Sequence, residues 1–119
     1  MVEIQVPISV GELLDKISIL SIKSQYTDNS YVHKELQDLS KIAQDLGVYK
    51  KEYLDRLLEV NRKLWVIEDE IRVYEDKWLF NDDFIRLART VYITNDERAE
   101  IKKKINIETK STYQEVKLY

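Results

Sequence analysis

The chain has 119 residues, a net charge of -3 and 44% hydrophobic residues, which indicates one folded helical domain rather than a disordered chain. It has no cysteine and one histidine, so disulfides, thiolate catalysis and the usual zinc sites are excluded. Both charge signs are mixed along the chain, which predicts no binding to nucleic acid. We expect a cytoplasmic protein with no membrane segment and no cofactor, folded as a single domain over residues 1–119.

Alternating apolar and polar residues open and close the chain. Val2, Ile4, Val6 and Ile8 alternate with polar residues or proline at the start, and TYQEVKLY at 112–119 has a similar β-prone pattern at the end. This period of two predicts short β-strands at both termini. The two strands could pair within one chain or across a dimer.

Two helices are predicted in the first half of the chain. Ser9 and Glu12 form an S-x-x-E capping box, so the first helix should begin there and run to about Tyr26. A second amphipathic helix follows the polar turn at 27–30, and Gly47 should end it.

The third helix, at about 49–79, is the longest and carries two stripes of side chains. The first has the alternating spacing of four and three that predicts a core seam: Tyr53, Leu57, Val60, Leu64, Ile67, Ile71, Tyr74 and Trp78. The second lies about 100° away and turns from apolar to polar: Leu54, Leu58, Asn61, Trp65, Glu68 and Arg72. The second helix is too short to cover the distal half of the seam. We therefore predict cover by other helices or by a second copy of the chain.

The last third of the chain predicts two more helices. Asn81 should cap a fourth helix at about 82–92, and the capping box formed by Thr94 and Glu97 should open a fifth helix to about 107. The basic run at 102–104 reads as a solvated helix face. The predicted fold class is mainly α, with about five helices around one long central helix and short terminal strands.

Four stretches of the chain resemble an uncharacterised family of small helical bacterial and phage proteins. They are VGELLDKISILSIK at 10–23, VNRKLWVIEDEIR at 60–72, FIRLARTVYITNDERAEIKKKIN at 84–106 and EVKLY at 115–119. The resemblance implies a free-standing, mostly helical domain. It implies no activity, cofactor or catalytic residue.

The polar stripe of the third helix is the best candidate for a ligand site. Glu68 and Arg72 have the i,i+4 spacing of an ion pair. Cationic groups converging there beside a tryptophan would suit a small carboxylate or phosphate. The preferred interpretation, however, is that these residues form interhelical salt bridges and an amide-capped loop that hold the helices together. The candidate residues are Lys16, Lys23, Asn61, Trp65, Glu68, Arg72, Arg89, Tyr92, Asn95 and Arg98.

Two pairs of acids offer a weaker hypothesis. Glu35 with Asp38, and Glu52 with Asp55, have i,i+3 spacing that loosely resembles the acid motifs of all-α nucleotide pyrophosphohydrolases, which bind Mg²⁺. The preferred interpretation of both pairs is a solvated helix face, because they flank the predicted seam.

The leading functional hypothesis is a non-enzymatic assembly or adaptor protein. We predict a homodimer that uses the distal half of the third helix, with a further protein as a partner of an adaptor. The alternative is a small enzyme or binding module for an anionic metabolite, and the magnesium-dependent pyrophosphohydrolase comes last.

Overall fold

A computed structural model describes all 119 residues and contains four α-helices and no β-strand. The helices are α1 (Val10–Ser24), α2 (Ser30–Asp45), α3 (Lys51–Asp76) and α4 (Asp82–Glu108). Helix α1 contacts each of the other three, and α3 and α4 form a long hairpin. The mainly helical class is therefore confirmed, whereas five helices and terminal strands are not.

The helix starts and ends follow the capping residues. The Ser9 hydroxyl accepts a hydrogen bond from the Glu12 amide at 3.0 Å, and the Asn81 side chain accepts one from the Phe84 amide at 3.1 Å. Gly47 follows α2 with a φ of 71°, a left-handed conformation that costs glycine no steric strain. These three predicted boundaries are confirmed.

The predicted boundary between a fourth and a fifth helix is wrong, because α4 is continuous. Thr94 lies inside this helix and is buried, so its side chain belongs to the interior instead of capping a helix start. No glycine or proline occurs between residues 82 and 108, so nothing in the backbone forces a break.

Both predicted terminal strands are also absent. Val2, Ile4 and Val6 are exposed, and residues 1–9 have no regular secondary structure. A strand needs a neighbour to satisfy its backbone hydrogen-bonding groups, and a single chain does not bring the two termini into a ladder.

The hydrophobic core lies where α1 and α2 meet the first half of α3 and the end of α4. Its buried members are Leu13, Leu14, Ile17, Ala43, Tyr53, Leu54, Leu57 and Ile105. Further along α3, the seam residues from Leu64 to Tyr74 are partly buried and Trp78 is exposed. Helix α4 runs beside this distal half of α3. Most of the seam is therefore covered within one chain, which the sequence alone did not decide.

The molecule exposes more surface than its mass predicts. Its accessible area is 8690 Å² and its mass 14.2 kDa, whereas a compact monomer of this mass exposes about 6,800 Å². The radius of gyration is 16.1 Å, against about 13.5 Å for a compact domain of this length. Part of the excess belongs to the terminal segments, and the remainder reflects the projecting α3–α4 hairpin.

Candidate functional site

A cluster of four polar side chains, three buried and one partly buried, lies between α1, α3 and α4. Asp15 is 0% exposed, and its carboxylate accepts hydrogen bonds from the Nε and the Nη2 of Arg98, the former at 3.0 Å. The Asn61 amide donates to the Asp15 carboxylate at 2.9 Å and to the Ser18 hydroxyl at 2.8 Å. This polar cluster therefore joins three helices through a charge that has no access to water.

Sequence reasoning proposed Asn61 and Arg98 but missed Asp15, their shared partner. A signal for Asp15 was present, because Gly11, Asp15, Ser18 and Ile22 repeat the spacing of four, three and four that marks a buried seam. All four are buried. The seam was overlooked because three of its members are small or polar.

An open groove lies beside the polar cluster, and it brings together six of the ten candidate residues. We call it the Trp65 groove; its volume is about 520 Å³ and its lining is Ile19, Ile22, Asn61, Leu64, Trp65, Glu68, Asp69, Arg72, Asn95 and Arg98. The Tyr26 ring stacks on Trp65 with centroids 5.1 Å apart and planes at 15°. The groove has the size of a small-molecule site and one aromatic wall.

The other four candidate residues do not line this groove. Lys16 and Lys23 are exposed on α1, and Arg89 is exposed on α4. None of these three side chains forms an ion pair. Tyr92 lines a separate depression between α4 and the C-terminal segment. The predicted convergence of lysines and arginines is therefore only partial.

Both guanidinium groups in the groove already have a carboxylate partner. Glu68 and Arg72 form the predicted ion pair at 3.3 Å, and Arg98 is held by Asp15. The hydrogen bond that Arg98 donates to Asp15 raises the pKa of Arg98 further above its usual value, although burial opposes the rise. With Asp69 also in the lining, an anionic ligand would have to displace a carboxylate to reach a cation.

Lys102 is buried, which corrects the prediction that the basic run at 102–104 is a solvated face. It is 7% exposed, and its amine lies 2.7 Å from the Glu12 carboxylate and 3.3 Å from that of Glu115. Burial by itself lowers the pKa of Lys102, but the hydrogen bond to Glu12 and the charges of Glu12, Asp15 and Glu115 raise that pKa overall above 10.5. Lys102 thus ties the start of α1 and the C-terminal segment to α4.

Alkaline pH should weaken this tie. Because the pKa of Lys102 is higher in the folded state, its stabilisation is fully present below the unfolded-state pKa of 10.5 and is lost as pH rises through the folded-state pKa. We expect Lys102→Met to lower the free energy of unfolding by about 1–2 kcal/mol near neutral pH, with the difference from wild type shrinking above about pH 10. Urea denaturation between about pH 7 and pH 12 would measure it.

The neighbouring exposed lysine supplies the control. Lys103→Met removes the same charge from the same turn of α4 without breaking an ion pair, so its effect should be small and independent of pH. If the difference in unfolding free energy between Lys102→Met and wild type stays constant up to about pH 12, the ion pairs of Lys102 do not stabilise the fold.

The two acid pairs behind the magnesium hypothesis are not brought together. Glu35 and Asp38 lie on α2, whereas Glu52 and Asp55 begin α3, and all four are exposed. Asp38 pairs with Lys34 at 3.0 Å and Asp55 with Lys51 at 2.8 Å. No group of three or more His, Asp or Glu side chains is arranged to hold a metal ion. This geometry does not favour phosphate chemistry supported by Mg²⁺.

Comparison with known proteins places the chain in a family. Residues 4–119 match the sequence model described as "Family of unknown function (DUF6165)". The chain belongs to this family. No curated protein and no solved structure matches it. None of the helices in this DUF6165 chain has both the length and the apolar content to cross a membrane.

A second groove of this DUF6165 protein follows the opposite side of the hairpin, between α3 and α4. We call this surface the outer face; its lining is Asp55, Leu58, Glu59, Arg62, Lys63, Val66, Ile67, Thr90, Ile93, Thr94 and Glu97. No residue of α1 or α2 lines it. Val66 and Ile93 are 54% and 43% exposed, and a Lys63–Glu97 ion pair of 3.7 Å crosses the groove. The outer face therefore combines apolar and charged groups without a covering helix.

Proposed function

We propose that this DUF6165 protein is a non-enzymatic assembly or adaptor protein that acts as a homodimer. The observation that carries the proposal is the accessible area of 8690 Å², which exceeds that of a compact monomer by about 1,900 Å². A stable dimer buries about 800 Å² on each partner, so an interface would account for the part of the excess that lies on the hairpin and not in the terminal segments.

The support for a dimer comes from a different surface than the sequence suggested. The apolar seam of α3 motivated the prediction, but α4 runs along that seam within the same chain. The outer face carries no such cover and includes Val66 and Ile93. Val66 belongs to the distal half of α3, so this half of the helix still takes part.

An exposed aromatic tip supports the adaptor part of the proposal. Trp78 lies in the loop between α3 and α4 and is exposed, and its ring meets that of Phe80 edge-on with centroids 5.8 Å apart. Tryptophan is enriched among the residues that dominate the binding energy of protein interfaces. The end of the hairpin could thus hold a second protein.

The absence of an unpaired cation from the Trp65 groove supports a non-enzymatic role. Arg72 and Arg98 both spend their charge on carboxylates of the same chain. The Asp15–Arg98 pair joins α1 to α4 and the Glu68–Arg72 pair lies within α3, so both have a structural explanation that needs no catalysis.

The mass of the protein in solution tests the proposal. We expect sedimentation velocity or light scattering at micromolar concentration to give twice the 14.2 kDa of one chain. Dilution should shift the mass towards the monomer, because dimerisation follows mass action. A stable monomer over the whole micromolar range would contradict the homodimer.

A further inference from the structure

The exposed stripe of α3 at the outer face has charges arranged symmetrically around one apolar residue. Arg62 lies four residues before Val66 and Glu70 lies four residues after it. Asp55 lies eleven residues before Val66 and Lys77 eleven residues after it. In both pairs the two residues carry opposite charges. Spacings of four and eleven return to nearly the same side of an α-helix, so the four residues within α3 share a face, and Lys77, the C-cap directly after Asp76, extends it.

We infer that two copies of the chain pair through the outer face, with the two α3 helices antiparallel and crossing at Val66. A twofold axis at Val66 places each residue opposite the one equally distant on the other side. Arg62 of one copy then faces Glu70 of the other, and Asp55 faces Lys77. Each pair occurs twice, once on either side of the axis. The inference rests on the proposed homodimer and identifies its interface.

The charges concerned are available for a partner. Arg62, Glu70 and Lys77 are exposed and form no ion pair within the chain. Asp55 pairs with Lys51 on the surface, and an exposed pair of this kind is worth little and exchanges readily. A second copy thus offers Arg62, Glu70 and Lys77 each an opposite charge, whereas Glu59 of the outer face lies opposite Val73. A copy docked in parallel forms none of these charge pairs.

The apolar part of the outer face supplies the centre of the interface. Val66 meets its own symmetry mate, while Ile93 and Leu58 flank it in the groove. An interface with an apolar centre and charges around it has the common organisation of protein–protein contacts.

The dimensions suit a dimer. The stripe from Asp55 to Lys77 is about 33 Å long at 1.5 Å per residue, and two packed helices are about 20 Å wide. The face therefore presents about 650 Å² even when side-chain relief is ignored. This is close to the roughly 800 Å² that each partner buries in a standard interface. Face-to-face packing of two hairpins would produce a four-helix bundle.

Charge reversal tests this arrangement, with the dimer dissociation constant measured by sedimentation. Arg62→Glu would place a glutamate against Glu70 of the other copy, and Glu70→Arg would place an arginine against Arg62. Each variant should raise the dissociation constant at least about tenfold, because two attractive pairs become repulsive. The double variant Arg62→Glu/Glu70→Arg exchanges the charges and should return to within about threefold of wild type.

Glu35→Arg is the matched control, since Glu35 is exposed on α2 and no residue of α2 lines the outer face. It should dimerise like wild type, and circular dichroism should show the same helix content in all variants. If wild type dimerises and both single reversals dimerise equally well, the interface is elsewhere and only this inference is overturned. Failure of the double variant to recover likewise overturns the register at Val66. A monomeric wild type instead overturns the proposed function itself.

Discussion

Replacing Arg98 with methionine is expected to lower the free energy of unfolding by about 3 kcal/mol. The substitution keeps most of the apolar stem but leaves the Asp15 carboxylate, which is 0% exposed, without a countercharge. The value is at the lower end for a broken buried pair, because Asn61 still donates to Asp15 and Arg98 is itself 27% exposed. Urea or guanidinium denaturation at one fixed protein concentration would measure the change.

Two further variants separate the buried pair from general effects. Arg89→Met removes an exposed arginine of the same helix and should change stability by no more than about 0.5 kcal/mol. The double variant Asp15→Asn/Arg98→Met should recover much of the lost stability, because the buried side chain at position 15 is then uncharged. Equal effects of Arg98→Met and Arg89→Met would show that the polar cluster is not what joins the helices.

Replacing Gly11 with alanine is expected to destabilise the fold by about 1–3 kcal/mol, although alanine is the better helix former by about 1 kcal/mol. A Cβ at this position would lie 2.8 Å from the carbonyl oxygen of Lys102 and 2.9 Å from Oδ1 of Asn106. The first of these is a backbone atom of α4, so relief requires the two helices to separate. The separation would lengthen the 2.6 Å hydrogen bond from the Gly11 amide to Asn106.

Thermal or urea denaturation measures this effect, and Lys16→Ala is its control. Lys16 is exposed on the same helix, so alanine there should change stability by no more than about 0.5 kcal/mol. A more stable Gly11→Ala protein would mean that α1 and α4 are not in close contact at this point.

The helix ends were predictable because short-range chemistry determines them. Ser9, Asn81 and Gly47 each act within a few residues along the chain, and each lies where the pattern indicated. The long helix extends over 51–76, against the 49–79 expected from its apolar seam. Local hydrogen bonds and periodicity were sufficient for these features.

The capping-box pattern wrongly predicted a helix start at Thr94, because packing between helices outweighs the local preference there. The TNDE sequence has the composition of a capping box, but Thr94 is buried in the middle of the continuous helix α4. Packing contacts are not visible in a window of four residues.

The buried polar groups could be predicted only in part. Asn61 and Arg98 were proposed from their helix positions, but their partner Asp15 lies 46 and 83 residues away, and distances of that kind do not follow from spacing. Lys102 was assigned to solvent because its neighbours are lysines, yet its own position faces α1. A buried charge usually needs an opposite charge nearby, and here that partner lies on another helix. The sequence of one helix does not show which residues of another helix lie beside it.

Helix α2 is attached to the rest of the molecule mainly through α1, and Ala43 is its only buried residue. Such a segment has few contacts to lose and can open with a free energy well below that of global unfolding. Its amide hydrogens should therefore exchange with solvent before those at the centre of the hairpin. No charged residue of the polar cluster and no residue of the outer face belongs to α2. A state in which α2 alone is detached would therefore keep the polar cluster and the outer face intact. Closure of α2 and pairing through the proposed interface would then be separable events.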